Sequence, residues 1–245
     1  MRIALISDIH GNLTALETVL ADIRTVQVDQ VVCLGDVAAT GPQPREVVTR
    51  LRELNISCVL GNGDEELFNL DGIPVDSESM QRVAAISRWN AAQLSPADLD
   101  FLRAFKPTIT LSLSDSAKLL CYHGSPRSNT EIITATIPDA ELAPMVSDCE
   151  AMLLAGGHTH TRLLRRYQDK FILNPGAVGL PVERSGTTAQ YVPWAEYALV
   201  VSGGSKIGIE FRRVPLDTEA IKREALAGEM PYAEWWASMW RSSSG

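Results

Sequence analysis

Five short apolar runs, each ending in a polar cluster, set the rhythm of this chain. "RIALIS" ends at Asp8, "QVVCL" at Gly35-Asp36, "SCVL" at Gly61-Asn62, "KLLCY" at His123 and "AMLLA" at Gly157-His158. Between the first two, Leu13, Leu16, Leu20 and Ile23 recur at helical spacing, and Asn12 stands where an N-cap belongs. Strand, helix, strand in that order predicts βαβ units. Residues 79 to 105 carry a helical pattern, with Ser95 as cap, Pro96 at the first helical position and Asp98 completing a capping box. From Thr108 the period shortens to two. "TITLSL" turns at "SDSA" into "KLLCY", and "EYALVVS" turns at "GGS" into "KIGIEFRRV", which predicts hairpins and therefore mixed sheets. The tail, with Trp235, Trp236 and Trp240, predicts an amphipathic helix around 217–241 whose aromatics cover the core in preference to a subunit contact. No internal repeat is present, and the polar "RSSSG" end is the only biased tract.

Composition bounds the class. With 245 residues, 45% of them hydrophobic, the chain is near the upper end of one compact domain and has ample material for a core. A single domain over 1–245 is expected, with a helical, cap-like insertion around 65–106 that lids a cleft. The opening MRIALISDIH holds too short an apolar run for a signal peptide, and no later run approaches membrane-spanning length. A cytoplasmic protein without a membrane partner is expected. Cys33, Cys58, Cys121 and Cys149 lie far apart with no CxxC pair, which predicts reduced thiols packed in the core. A net charge of -8 offers no basic field for a nucleic-acid backbone, so extended nucleic acid is not an expected partner.

The candidate chemistry lies at the ends of the apolar runs. The chain has four histidines, His10, His123, His158 and His160, and each sits just past such a run. In open α/β sheets the carboxyl ends of the strands share one crevice, so the runs should deliver Asp8, His10, Asp36, Asn62, His123, His158 and His160 to one place. Imidazoles, carboxylates and one amide suit borderline divalent metals, whereas magnesium or calcium alone would want more oxygen. Seven such groups exceed the needs of one ion. Two ions about 4 Å apart, sharing one carboxylate and a solvent oxygen, would use them all. Any fragment alone is weak: Asp8 can cap a turn, and "LGD" is ordinary turn chemistry after a strand. Their conjunction, in order and consuming every histidine, is what points to metal.

With these residues in view the chain resembles the calcineurin-like metallophosphoesterases, whose pattern runs D-x-H, GD, GNH followed by an acid, a lone H, then GHxH. The matching pieces are Asp8-Ile9-His10, Gly35-Asp36, Gly61-Asn62-Gly63-Asp64, His123 and Gly157-His158-Thr159-His160. "HGNLTAL", "GPQP", "HGSPR" and "NPGAVGLP" further resemble the small prokaryotic branch. The resemblance spans residues 1 to about 215 and implies an α/β (α+β) fold, a four-layer α-β-β-α sandwich of two mixed sheets. It implies one metal on Asp8, His10, Asp36 and His160 and the other on Asp36, Asn62, His123 and His158, with Asp36 bridging. It implies two divalent transition metals, manganese favoured, with iron, zinc, cobalt or nickel as alternatives. The implied reaction is in-line attack on phosphorus by a hydroxide bridging the metals. Asp36, Asn62 and Asp64 are the candidate catalytic residues, and Arg127, four residues past His123, is the candidate for steadying a phosphate oxygen.

One departure from the pattern carries information. Gly63 stands where the family places a histidine that donates to the phosphate and protonates the leaving alkoxide, with the next acid orienting it. General-acid help of that kind is commonly worth about a hundred- to ten-thousandfold. Asp64, beside two dications, is expected to stay ionised and to act as a supporting or capping group. The expectation is an enzyme on a small phosphoester, favouring phosphodiesters or anhydrides whose leaving groups depart unprotonated. Two alternatives stay open: a phosphomonoesterase, or a protein or dinucleoside-polyphosphate phosphatase, and a non-catalytic scaffold such as the retromer subunit of this fold. A homo-oligomer also stays open.

Overall fold

In a computed structural model of the protein, residues 1–73, 75–185, 188–203 and 206–241 are described. The first sheet contains β1 (Arg2–Ile6), β2 (Gln30–Cys33) and β3 (Ser57–Cys58). The second contains β4 (Ile109–Ser112), β5 (Lys118–Cys121), β6 (Leu153–Ala155), β7 (Leu163–Tyr167) and β8 (Lys170–Asn174). A separate antiparallel hairpin, β9 (Val182–Ser185) and β10 (Thr188–Tyr191), precedes β11 (Trp194–Gly203) and β12 (Lys206–Pro215), which return to the first sheet. The two large sheets have strand orders β12-β11-β1-β2-β3 and β4-β5-β6-β8-β7. Both are mixed: β1, β2 and β3 run parallel, as do β5, β6 and β8, while β11, β12, β4 and β7 pair antiparallel with their neighbours.

The layers follow from a period of two. Ile3 and Leu5 of β1 join Val32, Leu34, Leu119, Cys121 and Leu153 in a core between the sheets, while Ala4 and Ile6 point the other way. That outer face is covered by α1 (Leu13–Val26), α2 (Pro44–Glu53) and the helices after β3, which bury Leu16, Val19, Val47 and Leu51. On the far side, Leu120 and Leu154 meet Leu142 and Val146 of α6 (Asp139–Val146). The result is the α-β-β-α order that the resemblance implies.

Local signals decide where helices begin and break. Asn12 Oδ1 accepts the Ala15 N–H at 3.1 Å and caps α1. After β3 come α3 (Asn62–Glu66), a single 3₁₀ turn at Leu70–Gly72, α4 (Glu78–Gln93) and α5 (Pro96–Arg103). The helical stretch expected over 79–105 is two helices because a residue before proline is pushed out of the helical region, and Ser95 accordingly sits at φ −73°, ψ 162°. Its hydroxyl accepts the Asp98 N–H at 3.2 Å and Asp98 Oδ2 accepts the Ser95 N–H at 3.0 Å, the reciprocal box the residues predict. The single helix expected near the C-terminus is likewise two, α7 (Thr218–Ala227) and α8 (Ala233–Ser238), separated where Gly228 turns extended and Pro231 follows. Trp236 and Trp240 are buried against Tyr191 in the helix-side core, and Trp235 is half-buried under the Arg82 guanidinium. Cys33, Cys58 and Cys121 are buried free thiols, and Cys149 is partly exposed. Residues 204–205 of the expected "GGS" turn and 242–245 of the polar tail lie outside the described residues. Among the described residues no helix is long and apolar enough to cross a membrane.

Candidate metal centre

The parallel strands of both sheets end at one edge, and the candidate ligands stand on the segments that follow. Asp8 and His10 follow β1, Asp36 follows β2, and Asn62 opens α3 after β3. His123 follows β5, and His158 and His160 follow β6. Five of these seven residues hold left-handed backbones: Asp8 (φ 55°), His10 (48°), Asp36 (54°), His158 (69°) and His160 (56°). Such conformations cost a non-glycine residue roughly 1–2 kcal/mol each and persist only where the surroundings enforce them. Gly35, at φ 104°, has no such freedom to lose: a Cβ there would lie 2.8 Å from His123 Nδ1.

The side chains form two groups whose ligand atoms lie within 4.8 Å of one another, Asp8 with His10 and His160, and Asp36 with His123 and His158. In the first, His160 Nε2 is 3.3 Å and His10 Nε2 3.9 Å from Asp8 Oδ1. In the second, His123 Nε2 lies 3.3 Å from Asp36 Oδ2 and 3.1 Å from Asn62 Oδ1. The groups touch through Asp36, whose Oδ2 is also 3.6 Å from His10 Nε2. Its other oxygen is occupied, accepting the Gly63 N–H at 2.8 Å.

The histidines are oriented from behind. Nδ1 of His10 donates to Ala39 O (3.0 Å), that of His123 to Leu34 O (2.8 Å) and that of His160 to Leu180 O (2.7 Å). A neutral imidazole that donates from Nδ1 carries its lone pair on Nε2, so all three lone pairs face the centre. His10 Nε2 and His160 Nε2 lie 3.1 Å apart, a contact that either a proton on one ring or a cation between them satisfies. The charge balance agrees. Burial alone would raise Asp36, but His123, by charge and hydrogen bond, outweighs it and holds the carboxyl below the usual range. Burial opposes charge on His123, yet Asp36 pushes the imidazole up to about 9. A pocket that stabilises protons at these positions has the donor set and the negative charge to hold cations there instead, so the residues fit divalent metal.

Asp64 is fully buried and its oxygens are taken by backbone amides: Val37 N (2.8 Å) and Ala38 N (3.3 Å) on one, Gly61 N (3.3 Å) on the other. It ties the loop carrying Asp36 to the start of α3. Burial, then the neighbouring Asp36 charge, raises its carboxyl to about 7, while the Val37 and Gly61 amides pull it down. Arg127 makes its contacts away from the seven ligands. Its guanidinium pairs with Glu131, Nε to Oε1 at 2.9 Å, and lines a cavity with Lys118, Leu120 and Met145 that contains none of the seven candidate ligands.

Two supporting asparagines escape sequence reasoning. Asn174, from "NPGAVGLP", donates to Gly157 O at 2.5 Å and accepts the Gly176 N–H at 2.9 Å, holding the turn before His158. Asn90, wholly buried in α4, accepts the Thr40 N–H and donates to Gly41 O, both at 2.7 Å, while Trp236 Nε1 donates to Thr40 O. This clamp backs Ala39, which holds His10. Its only signal in the sequence is an asparagine in mid-helix. Asn90→Ala would strand two backbone groups, and we expect a loss of about 2 kcal/mol or more, read as a lower urea midpoint. An unchanged midpoint would mean that the loop holds itself.

A family model, the calcineurin-like phosphoesterase superfamily domain, matches residues 1–193. An uncharacterised protein of Methanocaldococcus jannaschii is 29% identical over 251 residues, 95% of this chain and 94% of its own. The crystal structure of a metallophosphoesterase from Sphaerobacter thermophilus is 30% identical, with a TM-score of 0.73 over 98% of each chain. A hypothetical protein of Pyrococcus horikoshii, only 18% identical, shares the fold with a TM-score of 0.82 over 97% of this chain and 96% of that one. The motif order, the two-sheet fold, the paired ligand groups and a match across most of its length agree that this chain belongs to the calcineurin-like phosphoesterase superfamily, a superfamily of phosphoester hydrolases that use divalent metals.

Proposed function

We propose that the protein is a dinuclear phosphodiesterase. One divalent cation would be held by Asp8, His10, Asp36 and His160, the other by Asp36, Asn62, His123 and His158, with Asp36 shared. The observation that carries this is the division of labour on Asp36: Gly63 ties down Oδ1, and Oδ2 is left facing histidines of both groups. A mixed set of imidazole, carboxylate and amide suits borderline divalent metals, and manganese is the choice proposed, with iron, zinc, cobalt or nickel able to substitute. When bound, the two cations supply an activated water and charge neutralisation at phosphorus. Against a scaffold stands the backbone cost of holding five of these side chains at positive φ, which a binding surface elsewhere on the fold would not require.

The residues of the chain itself account for a preference among esters. Backbone carbonyls fix the histidine lone pairs, and Asp64 and Asn90 fix the loops that carry Asp36 and His10. Gly63 has no side chain with which to protonate a leaving oxygen. Diesters and anhydrides with stable leaving groups suit such a site better than alkyl monoesters. In a series of substituted aryl methyl phosphodiesters with manganese, turnover should fall by about a hundredfold or more from 4-nitrophenol to phenol as leaving group. A flat series would show that another acid serves the leaving oxygen and would remove the basis for the diester preference. Chelation should abolish turnover and manganese should restore it.

A further inference from the structure

Arg162 lies two residues beyond His160 and lines two cavities, one that also reaches His158 and one that also reaches His160. The larger, about 490 Å³, is bounded by His158, Thr161, Arg162, Arg184, Ile132 and Ile133 among others, and no acidic side chain lines it. The smaller, about 170 Å³, reaches from His160 past Arg162 to Glu196, Arg213 and Trp194. Glu196 is buried, and one of its oxygens, Oε1, receives two arginines, Arg162 Nε at 3.0 Å and Arg213 Nη2 at 2.8 Å. Arg213 also stacks on Trp194, 4.3 Å from the ring centre. Glu183 also lines the smaller cavity but is paired with Arg241 at 2.8 Å, so Glu196 and Glu183 face Arg162, Arg213 and Arg241, which leaves a net positive charge to which Arg184 adds, in a protein whose overall charge is -8.

Part of this belongs to the fold, since Glu196 and Arg213 face each other across β11 and β12 and Ile133 packs in the core with Tyr122 and Leu163; Arg162, Arg184 and Ile132 are what remain for a ligand. Ile132 keeps 55% of its surface exposed beside the larger cavity and contributes little to any core. Arg162 is engaged through Nε by Glu196 and lies over Phe211, 5.9 Å from the ring centre, which fixes the plane of its guanidinium at the boundary of the two cavities. A fork anchored on a buried acid is preorganised for two parallel hydrogen bonds to an oxyanion. An apolar wall with a few fixed polar groups, in a volume of this order, is the ordinary form of a small-molecule site.

We infer that the larger cavity is a substrate subsite, in which Arg162, assisted by Arg184, receives a second phosphate of a nucleotide-like ester while the Ile132–Ile133 wall takes its ring. Resting on the phosphodiesterase reading, this narrows the substrate to esters that carry a further anionic phosphate beyond the one cleaved. Glu196 and Arg213 position Arg162 and do not touch the ligand.

Two 4-nitrophenyl esters of thymidine 5′-phosphate, one with and one without a 3′-phosphate, isolate the second anion. With manganese present, the wild-type ratio of kcat/KM should favour the 3′-phosphorylated ester by about tenfold or more. In Arg162→Gln that ratio should collapse towards one, and in Arg162→Lys it should recover only in part, because the charge returns without the fork. Arg184→Gln, at an exposed position, should lower the ratio less and serves as a variant with no buried partner to disturb. A second readout needs no turnover: calorimetric titration of thymidine 3′,5′-bisphosphate into chelator-treated protein should show binding that weakens about tenfold in Arg162→Gln, with thymidine as the uncharged control. A wild-type ratio near one, or a ratio and an affinity that survive Arg162→Gln, would overturn the subsite. Binding that depends on Arg162 in a protein that hydrolyses neither ester would overturn the phosphodiesterase reading and leave the anion site standing.

Discussion

Asp36→Asn is expected to leave the protein with neither cation and to lower kcat/KM on an activated aryl diester by at least about a thousandfold. The reason is in how the side chain is held. The Gly63 N–H, 2.8 Å from Oδ1, demands an acceptor, so the asparagine would keep its carbonyl oxygen on that side. Its NH2 group would then replace Oδ2, the atom 3.6 Å from His10 Nε2 and 3.3 Å from His123 Nε2. Two N–H donors would face imidazole lone pairs and could ligate nothing. The substitution is nearly isosteric, so the fold should survive while the site fails. Asn62→Ala removes a ligand from one group only, 3.1 Å from His123 Nε2, and should reduce the metal content from two ions to one. Elemental analysis of both variants, beside circular dichroism, checks the contrast. Two tightly held ions in Asp36→Asn would refute the shared-carboxylate assignment.

Strand ends were legible in the sequence because they depend on short-range signals. The near-continuous apolar runs "RIALIS" and "KLLCY" mark strands covered on both faces, and polar residues just past them emerge at the carboxyl edge. The capping residues Asn12, Ser95 and Asp98 act within three residues of themselves and were equally readable. What escaped depends on partners far along the chain. Asn90 meets Thr40 across 50 residues, and no local pattern announces that bond. The Glu131 partner of Arg127 is equally unannounced: a tight turn delivers it to the guanidinium, and turn geometry without a helix or strand period cannot be read from spacing. The breaks at Ser95 and Gly228 were written in the sequence as proline and glycine signals, yet hydrophobic periodicity runs across them and conceals the change of direction. Arg162 drew no attention beside the GHxH motif, because its meaning comes from Glu196 on a strand of the other sheet.

Gly63→His is expected to raise turnover of alkyl phosphomonoesters about tenfold when combined with Ala39→Gly, while activated aryl diesters change little. The backbone permits the exchange. Gly63 is the second residue of α3 with no positive φ, so a side chain there brings no left-handed strain and removes a flexible residue from a helix. The difficulty is space at Cβ, which would stand 3.1 Å from Asp36 Oδ1 and 3.2 Å from the Ala39 methyl. Deleting that methyl frees one side. On the other, the N–H of residue 63 still donates to Oδ1, so Asp36 can shift a few tenths of an ångström about the same bond. The gain stays at the lower end of general-acid effects because Asp64, the acid next in sequence, already accepts from three backbone amides and holds an incoming imidazole weakly. Metal content separates the outcomes. Two ions with a gain confined to poor leaving groups would identify Gly63 as the position of a lost proton donor. Two ions without any gain would show that the site never wanted one there, and that its selectivity among esters is set by what binds beyond the phosphorus.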